Sequence, residues 1–185
     1  MISVTQLRKG VTFERDGELW RVLEYDHHKP GRGGAIIRTK LRNVRTGTTV
    51  NETFLSGESV DQVYLDHSTV RFLYSDGEFY HFMDVETYEQ PALPEEALGD
   101  VIPYLKEGIT LELEMYEGEP IGIDLPLRVD LEVTEAPPGF AGDTAASATK
   151  TATLETGLKV EVPLFIEKGD VVRVDTRTGE YLTRV

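Results

Sequence analysis

The sequence contains no cysteine, which excludes disulfide bonds and thiolate metal sites. It has no apolar run close to the ~20 residues that a membrane-spanning helix needs. The first ten residues, MISVTQLRKG, lack the apolar core of a secretory signal peptide. These absences predict a cytoplasmic protein without a membrane partner.

Positive charge is scarce and unevenly placed. The chain has 19 Lys and Arg against 33 Asp and Glu, a formal net charge of −14. Residues 1–63 carry a net charge of +2, residues 64–126 carry −13 and residues 127–185 carry −3. This asymmetry predicts a polyanionic partner for the first segment only, with an ordinary uneven acidic surface as the alternative. The acidic middle is expected to face solvent or a basic protein.

Helical periodicity is rare, and two-residue alternation dominates. Eight stretches alternate and predict strands: LWRVLEY, AIIRTKLRNV, TVRFLY, FYHFM, TLELEMY, LRVDLEV, KVEVPLFI and VVRVDT. Turns containing glycine separate them, and RDGE and SDGE carry the Asp-Gly pair that tight hairpins prefer. The exceptions are residues 89–105, which predict a turn and one short helix after Pro94, and residues 135–149, which predict a long loop. The pattern predicts an all-β fold.

An internal repeat divides the chain. PYLKEGITLELEMYEG and LFIEKGDVVRVDTRTG align on Tyr104 and Phe165, with matching glycines at an offset of 61 residues. Short strands in units of ~60 residues are typical of OB-type Greek-key barrels. We therefore predict three small barrels, with domains at 1–63, 64–126 and 127–185.

The stretch HHKPGRGGA, from His27 to Ala35, places cations among glycines between two alternating segments. Those segments predict the two arms of a hairpin with this stretch at its tip. Pro30 fixes φ, and Gly31, Gly33 and Gly34 leave the Arg32 side chain unobstructed. Without a further argument, a flexible hairpin loop remains the alternative.

On the second arm, Arg38, Lys40 and Arg42 recur at every second position and share one strand face. This basic stripe suits phosphate contacts, which orient a nucleic acid without reading its sequence. A solvated strand face would give the same pattern.

Other kinds of site find little support. Gly33-Gly34-Ala35 opens a strand, whereas a phosphate-binding Walker loop needs Gly-Lys-Ser/Thr at the start of a helix. His27 and His28 are adjacent on a strand and point to opposite faces, so no metal site is predicted. No Ser/His/Asp set and no singled-out carboxylate pair indicates catalysis, and no cofactor is predicted.

Three stretches resemble the bacterial translation elongation factor P family, and together they extend the resemblance over the full length. They are the KPGRGGA tip, GDTAASATKTATLETG from Gly142 to Gly157, and VPLFIEKGDVVRVDTRTGEYLTR from Val162 to Arg184. The resemblance implies an N-terminal KOW/SH3-like barrel and two OB-fold barrels in an L-shaped, tRNA-like outline. It implies a monomeric, non-catalytic factor that binds both ribosomal subunits between the peptidyl and exit tRNA sites.

In that resemblance, the tip residues Lys29, Pro30, Gly31, Arg32, Gly33 and Gly34 reach the acceptor end of the peptidyl-tRNA. The resemblance also implies that the factor favours peptide-bond formation and relieves stalls at consecutive prolines. It further implies that a loop of the third domain, here Gly142, Asp143, Thr144 and Ala145, is placed near the exit-site codon.

One departure concerns Arg32. The best-known tip residue of the family is a modified lysine, whereas members with arginine there carry a sugar on it. Arg32 is therefore the candidate for modification by a dedicated enzyme.

Three other hypotheses stay open from the residues alone. One is a free-standing OB protein that stacks single-stranded nucleic acid on Tyr74, Phe79, Tyr80 and Phe82, although these lie in the most acidic region. Another is an enzyme with its site at the glycine loop. The third is the elongation factor P-like paralogue.

Overall fold

The computed structural model describes residues 1–139 and 148–185, and almost all of its elements are strands. In chain order the strands are β1 Ile2–Ser3, β2 Thr12–Arg15, β3 Glu18–His28, β4 Ile36–Asn43, β5 Thr49–Leu55, β6 Ser59–Gln62, β7 Asp66–Ser75, β8 Phe79–Asp84, β9 Ala92–Pro94, β10 Thr110–Tyr116, β11 Glu119–Asp124, β12 Arg128–Glu135, β13 Thr149–Leu154, β14 Lys159–Pro163, β15 Val171–Asp175 and β16 Tyr181–Arg184. Helical turns are 3₁₀ at Val4–Gln6, α1 at Glu95–Leu98 and 3₁₀ at Gly99–Tyr104. None of the helices in the described ranges is long and apolar enough to cross a membrane.

The strands form three sheets, each a nearly closed barrel. Their strand orders are β1-β6-β2-β3-β4-β5, β11-β10-β7-β8-β9 and β14-β13-β12-β15-β16. The predicted all-β class with three small barrels is confirmed. The domain boundaries at residues 63 and 126 stay predictions.

Alternating burial shapes the first sheet. Along β4, Ile37, Thr39, Leu41 and Asn43 point inward and are buried. The core of this barrel consists of apolar side chains from several strands and the first 3₁₀ turn: Val4, Leu7, Phe13, Val22, Ile37, Leu41, Phe54 and Val60. Burying each such side chain contributes roughly 1.5–3 kcal/mol.

The predicted Asp-Gly hairpin turn joins β2 to β3. Asp16 and Gly17 both have positive φ, at 55° and 78°, and Arg15 pairs with Glu18 across the turn. Two consecutive left-handed residues are the signature of the tight turn that this dipeptide favours. The local sequence therefore determines the register at which this hairpin starts.

The predicted helix begins where the acidic residues follow Pro94. Glu95 and Glu96 occupy the first turn of α1, where carboxylates favour the positive end of the helix dipole. Gly99 ends α1 with φ +51°, and the chain continues as a 3₁₀ turn to Tyr104.

The 61-residue repeat is visible in backbone hydrogen bonds. Gly108 N donates to Phe72 O at 2.8 Å, and Gly169 N donates to Val133 O at 2.9 Å. Gly108 and Gly169 adopt nearly the same φ, +83° and +94°. The second and third sheets also have the same order when β16 is matched to β11. The repeated glycines therefore mark the same turn in two similar barrels.

One predicted strand is too long. The alternation in KVEVPLFI predicts a strand over residues 159–166, but β14 ends at Pro163. The chain turns there, because Ile166 N donates to Pro163 O at 3.1 Å and Ile166 enters the core while Phe165 remains exposed. The last residues of KVEVPLFI are apolar because Ile166 is buried in a turn. Alternation alone cannot distinguish such a buried turn residue from a strand residue.

The chain forms two compact units. Unit 1 comprises Met1–Ser68, Leu93–Gly99 and Leu113–Gly122, and unit 2 comprises Thr69–Ala92, Asp100–Glu112 and Ile123–Val185. Each unit has its own apolar packing, with Leu19, Val44 and Ile121 together in unit 1.

A buried ion pair lies within unit 1. Glu114, only 6% exposed, accepts two hydrogen bonds from the Arg21 guanidinium, one of them at 3.1 Å. A second arginine of the basic segment, Arg45, contacts Glu119 at 3.3 Å. Bidentate pairing satisfies charges that would otherwise be costly to bury. The expectation that the acidic middle faces only outward is therefore wrong for Glu114.

Within unit 2, residues 100–112 pack on the third barrel. Tyr104 is buried in that barrel's core with Leu131 and Val174. Thr156 Oγ1 donates to Pro103 O, and Lys106 Nζ lies 3.2 Å from Glu155. These contacts combine an apolar anchor with two polar ones.

Replacing Gly47 by alanine is expected to destabilise the protein more than the same change at Gly118. Both have positive φ, +75° and +81°, but a Cβ at Gly47 would lie 2.7 Å from Glu96 O, whereas at Gly118 it would meet nothing within 4 Å. Backbone strain costs about 1–2 kcal/mol at either site, and overpacking should add about 1–3 kcal/mol at Gly47. Urea unfolding of the two variants measures the difference, and equal losses would contradict it.

Candidate functional site

The candidate site is the hairpin formed by β3 and β4. Cross-strand pairing continues to His28 opposite Ile36. One extra residue, Leu23, shifts the register on β3, and such a bulge increases the local twist. The tip between the last paired residues therefore comprises residues 29–35.

The arm that carries the tip has three strands. β5 pairs with β4 from Leu55 opposite Ile36 to Thr49 opposite Arg42. The predicted hairpin therefore gains a third strand, and residues 36–42 of β4 have partners on both sides over about 23 Å. Residues 29–35 extend beyond this support.

All six predicted tip residues, Lys29, Pro30, Gly31, Arg32, Gly33 and Gly34, are exposed. Within the described residues, no carboxylate pairs with Lys29 or Arg32. A Cβ built at Gly31 or Gly33 would meet no heavy atom within 4 Å. Arg32 is therefore a cation with open space on both sides, and the tip does not fold against its own barrel.

The tip glycines have different backbone roles. Gly33 has φ +120°, a value that L-residues rarely adopt, whereas Gly31 and Gly34 lie outside that region. A Cβ at Gly34 would lie 3.5 Å from Ser56 Oγ, an ordinary contact. Only Gly33 among these glycines uses the conformational freedom that glycine provides.

The predicted basic stripe shares one face of β4, but its members have different surroundings. Arg38 is exposed and lies opposite Asp26 in the register, and Lys40 lies 3.8 Å from Glu24. Carboxylates of β3 therefore partly compensate the positive charge on this face of β4. The sequence pattern of β4 alone could not show the neighbouring strand's charges.

Arg42 is engaged inside unit 1. Its Nη2 donates to Glu96 O at 3.2 Å, and its guanidinium lies so close to Gly99 that a Cβ there would be 2.2 Å from Nη2. The Arg42 guanidinium occupies the space that a Cβ at residue 99 would need, which accounts for a glycine at that position. The stripe is therefore not a row of three equally available cations.

A turn that was not singled out from the sequence lies beside the tip. Ser56 N donates to Ala35 O at 3.0 Å, which extends the β4–β5 ladder into the tip. Glu58 N donates to Leu55 O at 2.9 Å, and Glu58 Oε2 accepts from Leu55 N at 3.0 Å. The Ser-Gly pair in LSGE is a turn signal, but the strands on either side, β5 and β6, were not predicted.

The aromatic set around β7 and β8 ends at a carboxylate. Tyr74 stacks on His81 at 4.7 Å, and His81 Nε2 lies 2.8 Å from Asp76 Oδ2. Hydrogen bonds from the Phe79 N–H and then from His81 lower the pKa of Asp76 to about 2. Phe82 is buried. A fixed negative charge beside the exposed ring opposes phosphate binding, which disfavours single-strand stacking here.

The remaining predicted sites provide no further contacts that can be described for the candidate site. Gly142, Asp143, Thr144 and Ala145 lie outside the described residues. His27 and His28 alternate along β3, opposite Ile37 and Ile36. Among residues 1–139 and 148–185, no group of three His, Asp or Glu side chains is arranged to hold a metal ion.

Comparison with known proteins covers the whole chain. Residues 3–60 match the elongation factor P KOW-like domain, residues 65–123 the elongation factor P OB domain, and residues 129–184 the elongation factor P C-terminal domain. Elongation factor P of Moorella thermoacetica is 51% identical over 184 residues, and that of Symbiobacterium thermophilum is 50% identical over 184 residues. Both alignments cover 100% of each chain.

A solved structure titled eukaryotic translation initiation factor 5A from Methanococcus jannaschii has a TM-score of 0.48 at 24% identity, covering 66% of this chain and 90% of that one. Three family domains in one order, and full-length relatives with about half of their residues identical, decide the assignment. This chain belongs to the elongation factor P family of translation elongation factors.

Proposed function

We propose that this factor binds the ribosome between the peptidyl and exit tRNA sites and holds the acceptor end of the peptidyl-tRNA in place for peptide-bond formation. The observation that supports this best is the exposed, unpaired cationic tip at the end of a three-stranded arm. An RNA end is polyanionic, and the unpaired cations Lys29 and Arg32 suit it.

The contrast between paired and unpaired cations supports the tip as the part of the protein that contacts the tRNA. Arg21, Arg45 and Arg42 are engaged by acceptors of unit 1, so their charges are compensated within the protein. Lys29 and Arg32 have no such partners in the described part of the chain. Contacts from these cations to phosphate or sugar would orient the tRNA end without reading a base.

Positioning is sufficient to explain a stimulatory effect. Proline reacts slowly because its ring restricts the geometry of the backbone at the reacting residue. Holding two reactants in an attack geometry lowers the entropic part of the barrier and requires no reacting group on the factor. The factor thereby relieves stalls at consecutive prolines as a non-catalytic partner of the ribosomal peptidyl transferase centre.

Arg32 is the proposed site of covalent modification by a dedicated enzyme. Its exposed side chain and open flanks leave room for an enzyme to reach the guanidinium. A group added there would lengthen the reach of the tip toward the tRNA. No cofactor enters this function.

The other partners follow from the same proposal. Gly142, Asp143, Thr144 and Ala145 approach the exit-site codon and the small subunit, where small residues permit close contact with RNA. The factor acts as a cytoplasmic monomer.

Replacing Arg32 by alanine is expected to reduce the stimulation of synthesis through a triple-proline stretch by about tenfold, because a mispositioned reactant loses attack geometry. Arg71→Ala is the matched control, since it removes the same charge from an exposed strand position outside the hairpin and outside every predicted site. Ribosomes translating a triple-proline reporter provide the measurement. Undiminished stimulation by Arg32→Ala, or an equal loss in both variants, would refute the assignment.

Gly33→Ala should weaken the same stimulation, whereas Gly31→Ala should leave it nearly unchanged. Both positions have open space for a Cβ, but only Gly33 has a φ that strains an L-residue. Neither residue contributes to a barrel core, so both variants should fold, with Gly33→Ala less stable than Gly31→Ala by no more than the ~1–2 kcal/mol of that strain. Equal activity of the two variants would show that the tip conformation at Gly33 is not required.

The native protein should carry an adduct on Arg32. Intact mass of protein purified from its own cells is expected to exceed the sequence mass, and peptide fragmentation should place the difference on Arg32. An unmodified mass, with full activity, would show that the bare guanidinium is sufficient.

A further inference from the structure

The turn Leu55–Glu58, here called the tip brace, contacts the tip from one side. The Ser56 N–H donates to Ala35 O at 3.0 Å, and Ser56 Oγ lies over Gly34. Within the described part of the chain, residues 29–34 form no hydrogen bond of their own. The Ser56–Ala35 bond is therefore the polar contact that holds the tip beyond the last paired residues.

The tip brace is itself fixed to the barrel. Its turn closes through the Glu58 N to Leu55 O bond at 2.9 Å, and the Glu58 carboxylate caps Leu55 N at 3.0 Å. Glu58 O accepts from Val4 N at 3.1 Å, and Val4 is fully buried. A continuous set of bonds thus links the barrel core to Ala35.

This support is one-sided. On the β4 limb, the ladder with β5 continues from Ile36 opposite Leu55 to the Ala35–Ser56 bond. On the β3 limb, support ends at His28, after which Lys29 and Pro30 are exposed. The direction in which the chain leaves the arm is consequently set at Ala35, three residues from Arg32.

We propose that Ser56 and Glu58 are positioning residues for the tip, a role that rests on the proposed function. The tip brace sets the direction of the Gly33–Ala35 limb, and that direction sets where the Arg32 side chain meets its partner. Neither residue touches the partner in this mechanism. Their effect passes through Arg32, because the brace holds the backbone that carries it.

The test is a double-mutant cycle between Ser56→Pro and Arg32→Ala. Proline at residue 56 removes the N–H that Ala35 O accepts, and Ser56→Ala, which keeps the N–H, is the matched control. Peptide-bond formation at a proline stall is measured against factor concentration. We expect Ser56→Pro to lower the maximal stimulated rate by about tenfold with little change in the half-maximal concentration, and Ser56→Ala to behave as the wild type.

The Arg32→Ala background separates positioning from general damage. If the brace acts through Arg32, Ser56→Pro adds no further loss to Arg32→Ala. Equal fold losses in both backgrounds, or full activity of Ser56→Pro alone, would overturn the inference. Full activity of Arg32→Ala alone would instead overturn the proposed function.

Glu58→Ala keeps the inference falsifiable if Ser56→Pro does not fold. Glu58 is exposed and its carboxylate only caps the turn, so this variant should unfold at a temperature close to that of the wild type. We expect a smaller loss of maximal rate, about threefold, which disappears in the Arg32→Ala background. A folded Glu58→Ala variant with full stimulation contradicts the proposal.

Discussion

The double-sided pairing of β4 is the constraint on which the candidate site depends. Residues 36–42 of β4 lie between β3 and β5, so a sharp kink in this stretch would break ladder bonds on one side or the other. Its inward residues, including Ile37 and Leu41, are fully buried and tie the same strand to the core. A short glycine-rich tip thereby gains a rigid base without any packing of its own.

The fold also determines which positive charges of the N-terminal segment are paired. The chain carries far more acidic than basic residues, and its N-terminal arginines could have been a broad cationic surface. The fold instead pairs Arg21 with the buried Glu114 and Arg45 with Glu119, and it uses Arg42 against a backbone carbonyl. Lys29 and Arg32, which have no carboxylate partner in the described part of the chain, lie at the end of the hairpin, where the space around the neighbouring Gly31 and Gly33 is open.

The two C-terminal barrels share one backbone turn but pack different side chains around it. Gly108 and Gly169 make the same turn, and each bonds to the strand that begins its barrel. The aligned aromatics differ, because Tyr104 is buried against the third barrel's core whereas Phe165 is exposed beneath the Arg184 guanidinium. The two copies of the repeat thus have the same backbone conformation at the turn glycine, whereas the aromatic side chains at matched positions make different contacts.

Much of this could be predicted from the sequence because the relevant signals are local. Alternation, Asp16-Gly17 and the repeated glycines indicate strands, turns and small barrels, and the cations among glycines mark the tip. Strands such as β5 and β6 were missed because they alternate weakly and are defined by their neighbours in the sheet. The sequence by itself determined the strand class, the turns and the chemistry of the tip. Only the tertiary structure decided which cations stay unpaired and that Ser56 supports Ala35, because both depend on residues that folding brings together from distant parts of the chain.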